Sequence, residues 1–417
     1  MKKTEIKKGI NLYLIHEKKF KTYYAGIHFH MPLTEDTATE NALLPLVLKR
    51  GSKNFPTKAA ISEKLDMLMG ASFSAYVQKK GETQLLSFSV SGVSDSFAPF
   101  GECLKEGISL LSDIVTKPLL PFKDEYLKSE KEHLAELIES EKNDKRRYSV
   151  LRCKEEMNKG ENYAVPESGY SDKIDCITAS SLEKRYLEII ENAPVDIIIA
   201  GNFDTDLSEK IISDAFSLLR ERSTPYPETK EASSAEISTV TEELSVSQGK
   251  LCIGFVTGVP DSVSEDYIAL LVYNSIFGGG AHSKLFMNVR EKLSLAYYAG
   301  STYEYLKGII TVSSGIESKN FEKARDEIFL QYKAMTDGDI SDTELSVSKK
   351  ALINSFKSAG DSVGGIASHC LSGILLKNDI SREEFIEKIE KVTIADVVRV
   401  GKNITPKLIY FLKGVDR

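Results

Sequence analysis

Arg290 and Tyr297 are the residues whose types and spacing point most directly to chemistry. They fall in the run Lys284-Leu-Phe-Met-Asn-Val-Arg-Glu-Lys292 and the following Leu295-Ala-Tyr-Tyr298. The first stretch reads as a short amphipathic helix and the second as a strand. A guanidinium and a phenol set on such a turn can both donate hydrogen bonds to a carbonyl oxygen, and to the oxyanion that forms when that carbonyl is attacked. Just upstream, Gly278, Gly279 and Gly280 lead into Ala281-His282-Ser283, a turn whose backbone can come close to a ligand. The opposing reading makes Arg290 a surface ion pair and Tyr297 half-buried sheet packing. Tyr298 falls on the other face of the strand and reads as packing.

Nothing else in the chain completes a catalytic centre. Of the six histidines, His28 and His30 share one face of a strand, but a two-histidine site lacks the third ligand of a catalytic zinc. Both read as structural, as does His369 beside Cys370. Neither Cys-His nor Ser-His-Asp catalysis has a local signature. The five cysteines, 103, 153, 176, 252 and 370, are scattered without a CxxC, which reads as reduced thiols of a cytoplasmic protein.

The elements that must position Arg290 and Tyr297 are written twice. The strand Ala25–His30, with a helix through Ala42, is matched by Cys252–Val256 and a helix through Ala269. The hairpin Phe73–Gly92 is matched by Ala296–Gly315, and the strand Val195–Gly201 by Lys407–Gly414. A chain of 417 residues exceeds what one core supports, and a repeat of this size is a duplicated domain. The expected organisation is a domain over 1–221, a Ser-, Thr-, Glu- and Pro-rich linker over 222–249 with a short strand near Glu243–Val246, and a second domain over 250–417. Long helices are expected over Lys123–Lys159 and Asp342–Leu376, with capping boxes at Ser180/Glu183, Ser341/Glu344 and Ser381/Glu384. The fold class is α+β, with each domain an antiparallel-rich sheet packed on long helices.

Charge excludes some functions. Lys and Arg number 54, Asp and Glu 61, for a net charge of −7 without a clustered basic face, which argues against nucleic acid. No apolar run suits a membrane helix, and the basic start Met1–Lys8 leads into a strand pattern rather than a signal peptide.

The stretch from Gly278 to Tyr297 resembles the arginine/tyrosine signature of insulinase/pitrilysin-type metallopeptidases, and the resemblance extends over nearly the whole chain. It implies that Arg290 and Tyr297 face a peptide carbonyl held over zinc. Members of that family bind zinc through His-x-x-Glu-His on a helix and a Glu on a later helix. Registered on Arg50-Gly51-Ser52, those positions are Ala42, Pro45 and Leu46, and the later Glu falls at Leu137; a one-residue slip would bring Glu136 there instead. None of the four can hold zinc or carry a proton, so the chain is expected to bind no metal or cofactor of its own. Gly70–Val77, with Ser72, Phe73 and Ser74, resembles the family's edge strand for extended peptide. It reads equally as an edge protected by Gln78-Lys-Lys80.

Among bacterial relatives the chain looks most like the zinc-less proteins associated with elongation factor P 5-aminopentanol modification, and it also resembles the non-catalytic subunit of mitochondrial processing peptidase, an analogous case. The resemblance implies half of a clam-shell dimer. In that reading the chain is a non-catalytic subunit of a cytoplasmic heterodimeric zinc metallopeptidase, with zinc in a paralogous partner. The alternative is a stand-alone peptide- or protein-binding pseudopeptidase, as homodimer or monomer, with no catalysis.

Overall fold

A computed structural model gives the fold. It describes residues 1–99, 101–222, 224–234, 236–246, 248–259, 262, 264–378 and 380–414. Ser223, Ala235 and Ser247 of the expected linker, and the last three residues of the second domain, lie outside the described residues.

Alternating stretches such as Thr22–Pro32 and near-continuous apolar runs such as Val195–Gly201 build the strands. In the first compact unit these are β1 (Lys2–Lys7), β2 (Ile10–His16), β3 (Thr22–Pro32), β4 (Ser72–Lys80), β5 (Thr83–Val93) and β6 (Val195–Gly201), in the order β1-β2-β6-β3-β5-β4. The pairings are antiparallel apart from β2 with β6. Ala25, Ile27, Phe29 and Met31 of β3 enter the core, while His28 and His30 take the opposite face, as period-2 alternation dictates. The helices are α1 (Ala38–Leu48), α2 (Lys58–Met67), α3 (Cys103–Thr116), α4 (Asp124–Glu141), α6 (Ala179–Asn192), α7 (Thr205–Ala215) and the greater part of α11 (Val363–Leu376).

The second unit is built on β7 (Ser238–Leu244), β8 (Gly249–Val256), β9 (Ala296–Glu304), β10 (Ile309–Ile316) and β11 (Thr405–Gly414), ordered β7-β11-β8-β10-β9. Its helices are α5 (Lys145–Met157), α8 (Glu265–Gly278), α9 (Phe321–Asp337), α10 (Asp342–Ala359), α12 (Arg382–Lys391) and α13 (Ile394–Gly401). One face of this sheet meets the main core through Leu251, Ile253 and Phe255. The other is covered by α5, where Cys153 and Met157 meet Cys252, Tyr410 and Leu412. Covering on both faces explains why every residue of β8 is buried.

The units are not the contiguous halves that the repeat suggests. The first consists of Met1–Glu139, Val165–Glu228 and Ala359–Ser372, and the second of Ser140–Ala164, Thr229–Ser358 and Gly373–Arg417. Lys307, fully buried, holds the segment after α5 into the second unit: its Nζ lies 2.5 Å from Glu161 Oε2 and 2.8 Å from the Lys230 carbonyl. Each expected long helix is two helices, broken close to a unit boundary. Asp144 accepts from the amides of Arg146 and Arg147 at 3.0 Å, starting α5 anew. Ser362 Oγ accepts from the Gly365 amide at 3.0 Å, beside Gly360. The strand expected near Glu243 runs over Ser238–Leu244 and pairs parallel with β11.

The capping boxes come out unevenly. Ser341 and Glu344 satisfy each other's amides, and Ser381 Oγ accepts from the Glu384 amide. The box proposed at Ser180 is displaced to Thr178 and Ser181, because the chain is still extended at Thr178. Thr178→Ala is therefore expected to cost about 1 kcal/mol of stability and Ser180→Ala close to nothing; equal losses in urea unfolding would contradict this placement.

Candidate functional site

Arg290 sits in an unusual turn. The stretch Phe286–Lys292 is π-helical, a wider coil whose amides reach one residue further back. The Leu293 amide bonds the Asn288 carbonyl at 3.2 Å, and the Leu295 amide reaches Val289 at 2.9 Å. The turn is fixed by its neighbours. Asn288 Nδ2 donates to the Lys284 carbonyl and to Gln331 Oε1 of α9, and the buried Lys284 pairs with Glu344 at 2.8 Å. With that frame held, the Arg290 guanidinium remains accessible. It stacks over Phe286 at 4.6 Å, and its Nε lies 3.6 Å from Glu291 of the same turn.

Tyr297 stands next to a bulge. Gly315 of β10 pairs with Tyr298 and Ile316 with Ala296, so Tyr297 is the extra residue opposite none. Such bulges re-aim a side chain at a sheet edge. Ser294 just before it has φ +50°, a left-handed conformation uncommon for serine. The result is a phenol 61% exposed on β9, an edge strand of its sheet that packs against the π-helical turn. The half-buried packing role is thus not what Tyr297 has. Neither the π-turn nor the bulge leaves a local signal: the residues read as an ordinary helix and a strand from Leu295, whereas the strand begins at Ala296.

Gly278 ends α8 and Gly279 caps it. A Cβ on Gly278 would lie 2.5 Å from the Ser301 amide and hydroxyl, so this glycine lets α8 approach β9. A Cβ on Gly280 would come within 3.1 Å of the His282 ring, whose Nε2 is 3.3 Å from Ser275 Oγ.

In the first unit β4 is an edge strand, paired among the described residues with β5 alone. Ser72 and Ser74 are exposed on it and Phe73 is half-buried against the core. On α1, Ala42 and Pro45 are buried, Leu46 is partly buried, and Pro45 stands inside the helix, where it cannot donate to the carbonyl one turn back. Leu137 on α4 is 42% exposed and Glu136 beside it is exposed. A methyl, a pyrrolidine ring and two isobutyl groups offer zinc no donor, so the residues present do not fit that ion. Among the described residues no three His, Cys, Asp or Glu side chains are grouped to hold a metal. His28 and His30 are buried and engaged: His28 Nδ1 lies 2.9 Å from Ser87 Oγ, and His30 Nε2 lies 2.7 Å from Asp196 Oδ2.

Comparison with known proteins places this geometry. Residues 177–352 match the family model described as the peptidase M16 inactive domain. Over 413 residues the chain is 37% identical to a Bacillus subtilis protein named probable inactive metalloprotease YmfF, covering 98% of this chain and 96% of that one. The chain belongs to the peptidase M16 family. This establishes the insulinase/pitrilysin-type resemblance read from Gly278–Tyr297. Among solved structures, a conserved protein from Enterococcus faecalis V583 is similar along the full length, with TM-score 0.91, 30% identity and coverage of 100% and 99% of the two chains. A peptidase M16 inactive domain from Pseudomonas fluorescens shares the fold at TM-score 0.82 and 17% identity, covering 100% and 98%. No helix among the described residues is long and apolar enough to cross a membrane.

Proposed function

We propose that this M16 chain is a non-catalytic subunit of a heterodimeric zinc metallopeptidase. It binds extended peptide and donates Arg290 and Tyr297 to a zinc site carried by a related partner. The observation that carries this reading is that both donors stand exposed on irregular backbone, one on a π-turn and one at a bulge. Irregular backbone of this kind recurs at functional sites. Arg290 and Tyr297 polarise the peptide carbonyl and hold the oxyanion that forms on it. Ala42, Pro45, Leu46 and Leu137 leave metal binding and water activation to the other chain.

The open edge of β4 favours a second reading, a stand-alone pseudopeptidase that holds peptide by strand addition and catalyses nothing. Copurification from the native host, followed by mass spectrometry and metal analysis, separates the two. The first reading expects a related chain bearing His-x-x-Glu-His in the complex, with zinc. Recovery of the chain alone or as a homodimer, binding peptide without metal, would favour the second.

A further inference from the structure

The second unit holds two cations that share one aromatic ring and, among the described residues, have no acidic partner in contact. Lys250 of β8, Gly315 of β10 and Tyr298 of β9 lie directly opposite one another across three neighbouring strands. The glycine in the middle of that row leaves room that the Tyr298 ring itself occupies. A Cβ at Gly315 would lie 2.5 Å from the Tyr298 ring and 3.1 Å from Gln248 Oε1. Arg146, from the first turn of α5, places its guanidinium 4.1 Å from the centre of the Tyr298 ring, and Lys250 Nζ lies 5.9 Å from the same point.

Lys250 is 8% exposed, and its one hydrogen-bond partner among the described residues is the neutral amide oxygen of Gln248. Burying an ammonium beside a second cation without a carboxylate in contact is costly. Burial pushes the Lys250 ammonium below its usual range; Asp144 pulls it up and Arg146 pushes it further down. Asp144 is near enough to be felt, with its Oδ1 taking both amides that start α5.

We propose that Arg146, Lys250 and Tyr298 form a binding site for a carboxylate, supplied by an acidic side chain or a free C-terminus of a peptide. A single carboxylate bridges Arg146 and Lys250 and supplies the acidic partner both lack, with Tyr298 as the floor. The class follows from charge. Two cations less the nearby Asp144 leave about one net positive charge, which a monoanion matches, whereas a phosphate dianion meets repulsion from Asp144. The site does not depend on the role given to Arg290 and Tyr297.

The test uses the full chain with lysine labelled at the ε-carbon with carbon-13, the Lys250 signal being assigned by its loss in Lys250→Met. Acetate at constant ionic strength is expected to move that signal saturably and raise its titration midpoint, with chloride leaving it in place. Arg146→Gln, with its melting temperature checked against the wild type, weakens acetate binding about tenfold or more, the worth of one hydrogen bond to a charged group. Tyr298→Phe keeps the ring and retains binding. An ends-blocked peptide bearing glutamate and an alanine peptide with a free carboxyl end form separate arms; movement by either supports the site and names the source. Equal response to chloride, tighter binding of inorganic phosphate than of acetate, or a Lys250 signal that neither peptide moves would overturn the proposal.

Discussion

In a complex with a zinc-bearing relative, Arg290→Ala and Tyr297→Phe are each expected to lower kcat about a hundredfold and to leave KM close to its wild-type value. The split follows from when the hydrogen bonds matter. A neutral carbonyl accepts weakly, and the oxyanion that replaces it accepts strongly, so the lost stabilisation falls mostly on the transition state. Stability should hardly change. Tyr297 is 61% exposed and, among the described residues, the Arg290 side chain makes a stack and a long contact within its own turn, so removing either opens no cavity. Arg290→Lys should recover little, because an ammonium cannot reproduce the planar fork. Steady-state kinetics on a fluorogenic peptide, with melting temperatures beside them, decide the matter: an unchanged kcat in both variants removes the donated half-site and leaves the binding module standing.

The fold was readable where local pattern and tertiary structure agree. The duplicated strands and hairpins are set by alternation, and β6 falls over the expected Val195–Gly201. What lay beyond reach was decided by partners distant in sequence. The helical period runs on past Asn143 and past Gly360, and only the two-amide cap on Asp144 and the turn at Ser362 show that each helix stops and starts again. Assignment of the segment after α5 to the second unit depends on Lys307 meeting Glu161, two residues with no local sign of their pairing. At the site, the sequence marked Arg290 and Tyr297 through motif, yet not how they are displayed. A π-turn differs from an α-turn by one hydrogen-bond register, and a bulge is a mismatch between strands, so neither leaves a periodicity in one strand's own residues. The row Lys250–Gly315–Tyr298 was hidden for the same reason, since register across three strands fixes it.

Acid should destabilise the protein through His28, in a window set by the shift in its own affinity for protons. His28 is buried on β3, facing Ser87 on β5 and Asp196 on β6. Its Nδ1 is 2.9 Å from Ser87 Oγ and its Nε2 3.4 Å from the Tyr24 hydroxyl. Burial, then repulsion from His30, pushes the imidazole down from 6.5 to about 4, with Asp196 pulling the other way. Asp196 does little more because its Oδ1 already takes Asn11 and Tyr226 and its Oδ2 faces His30. A folded value below the unfolded one means that the unfolded chain takes up the proton first. The contribution of His28 is therefore intact above pH 6.5, falls as pH drops from 6.5 towards 4, and levels off below that, for a loss of about 3 kcal/mol across the window. His28→Gln, which can still bond Ser87, should flatten the dependence. Surface carboxylates titrate alike in both proteins, so the difference between the two urea-unfolding profiles, followed from pH 7 to pH 4.5, isolates the imidazole. Parallel profiles would show that His28 carries its proton as readily in the fold as in the unfolded chain, and that the polar face of β3 is wetter than its burial indicates.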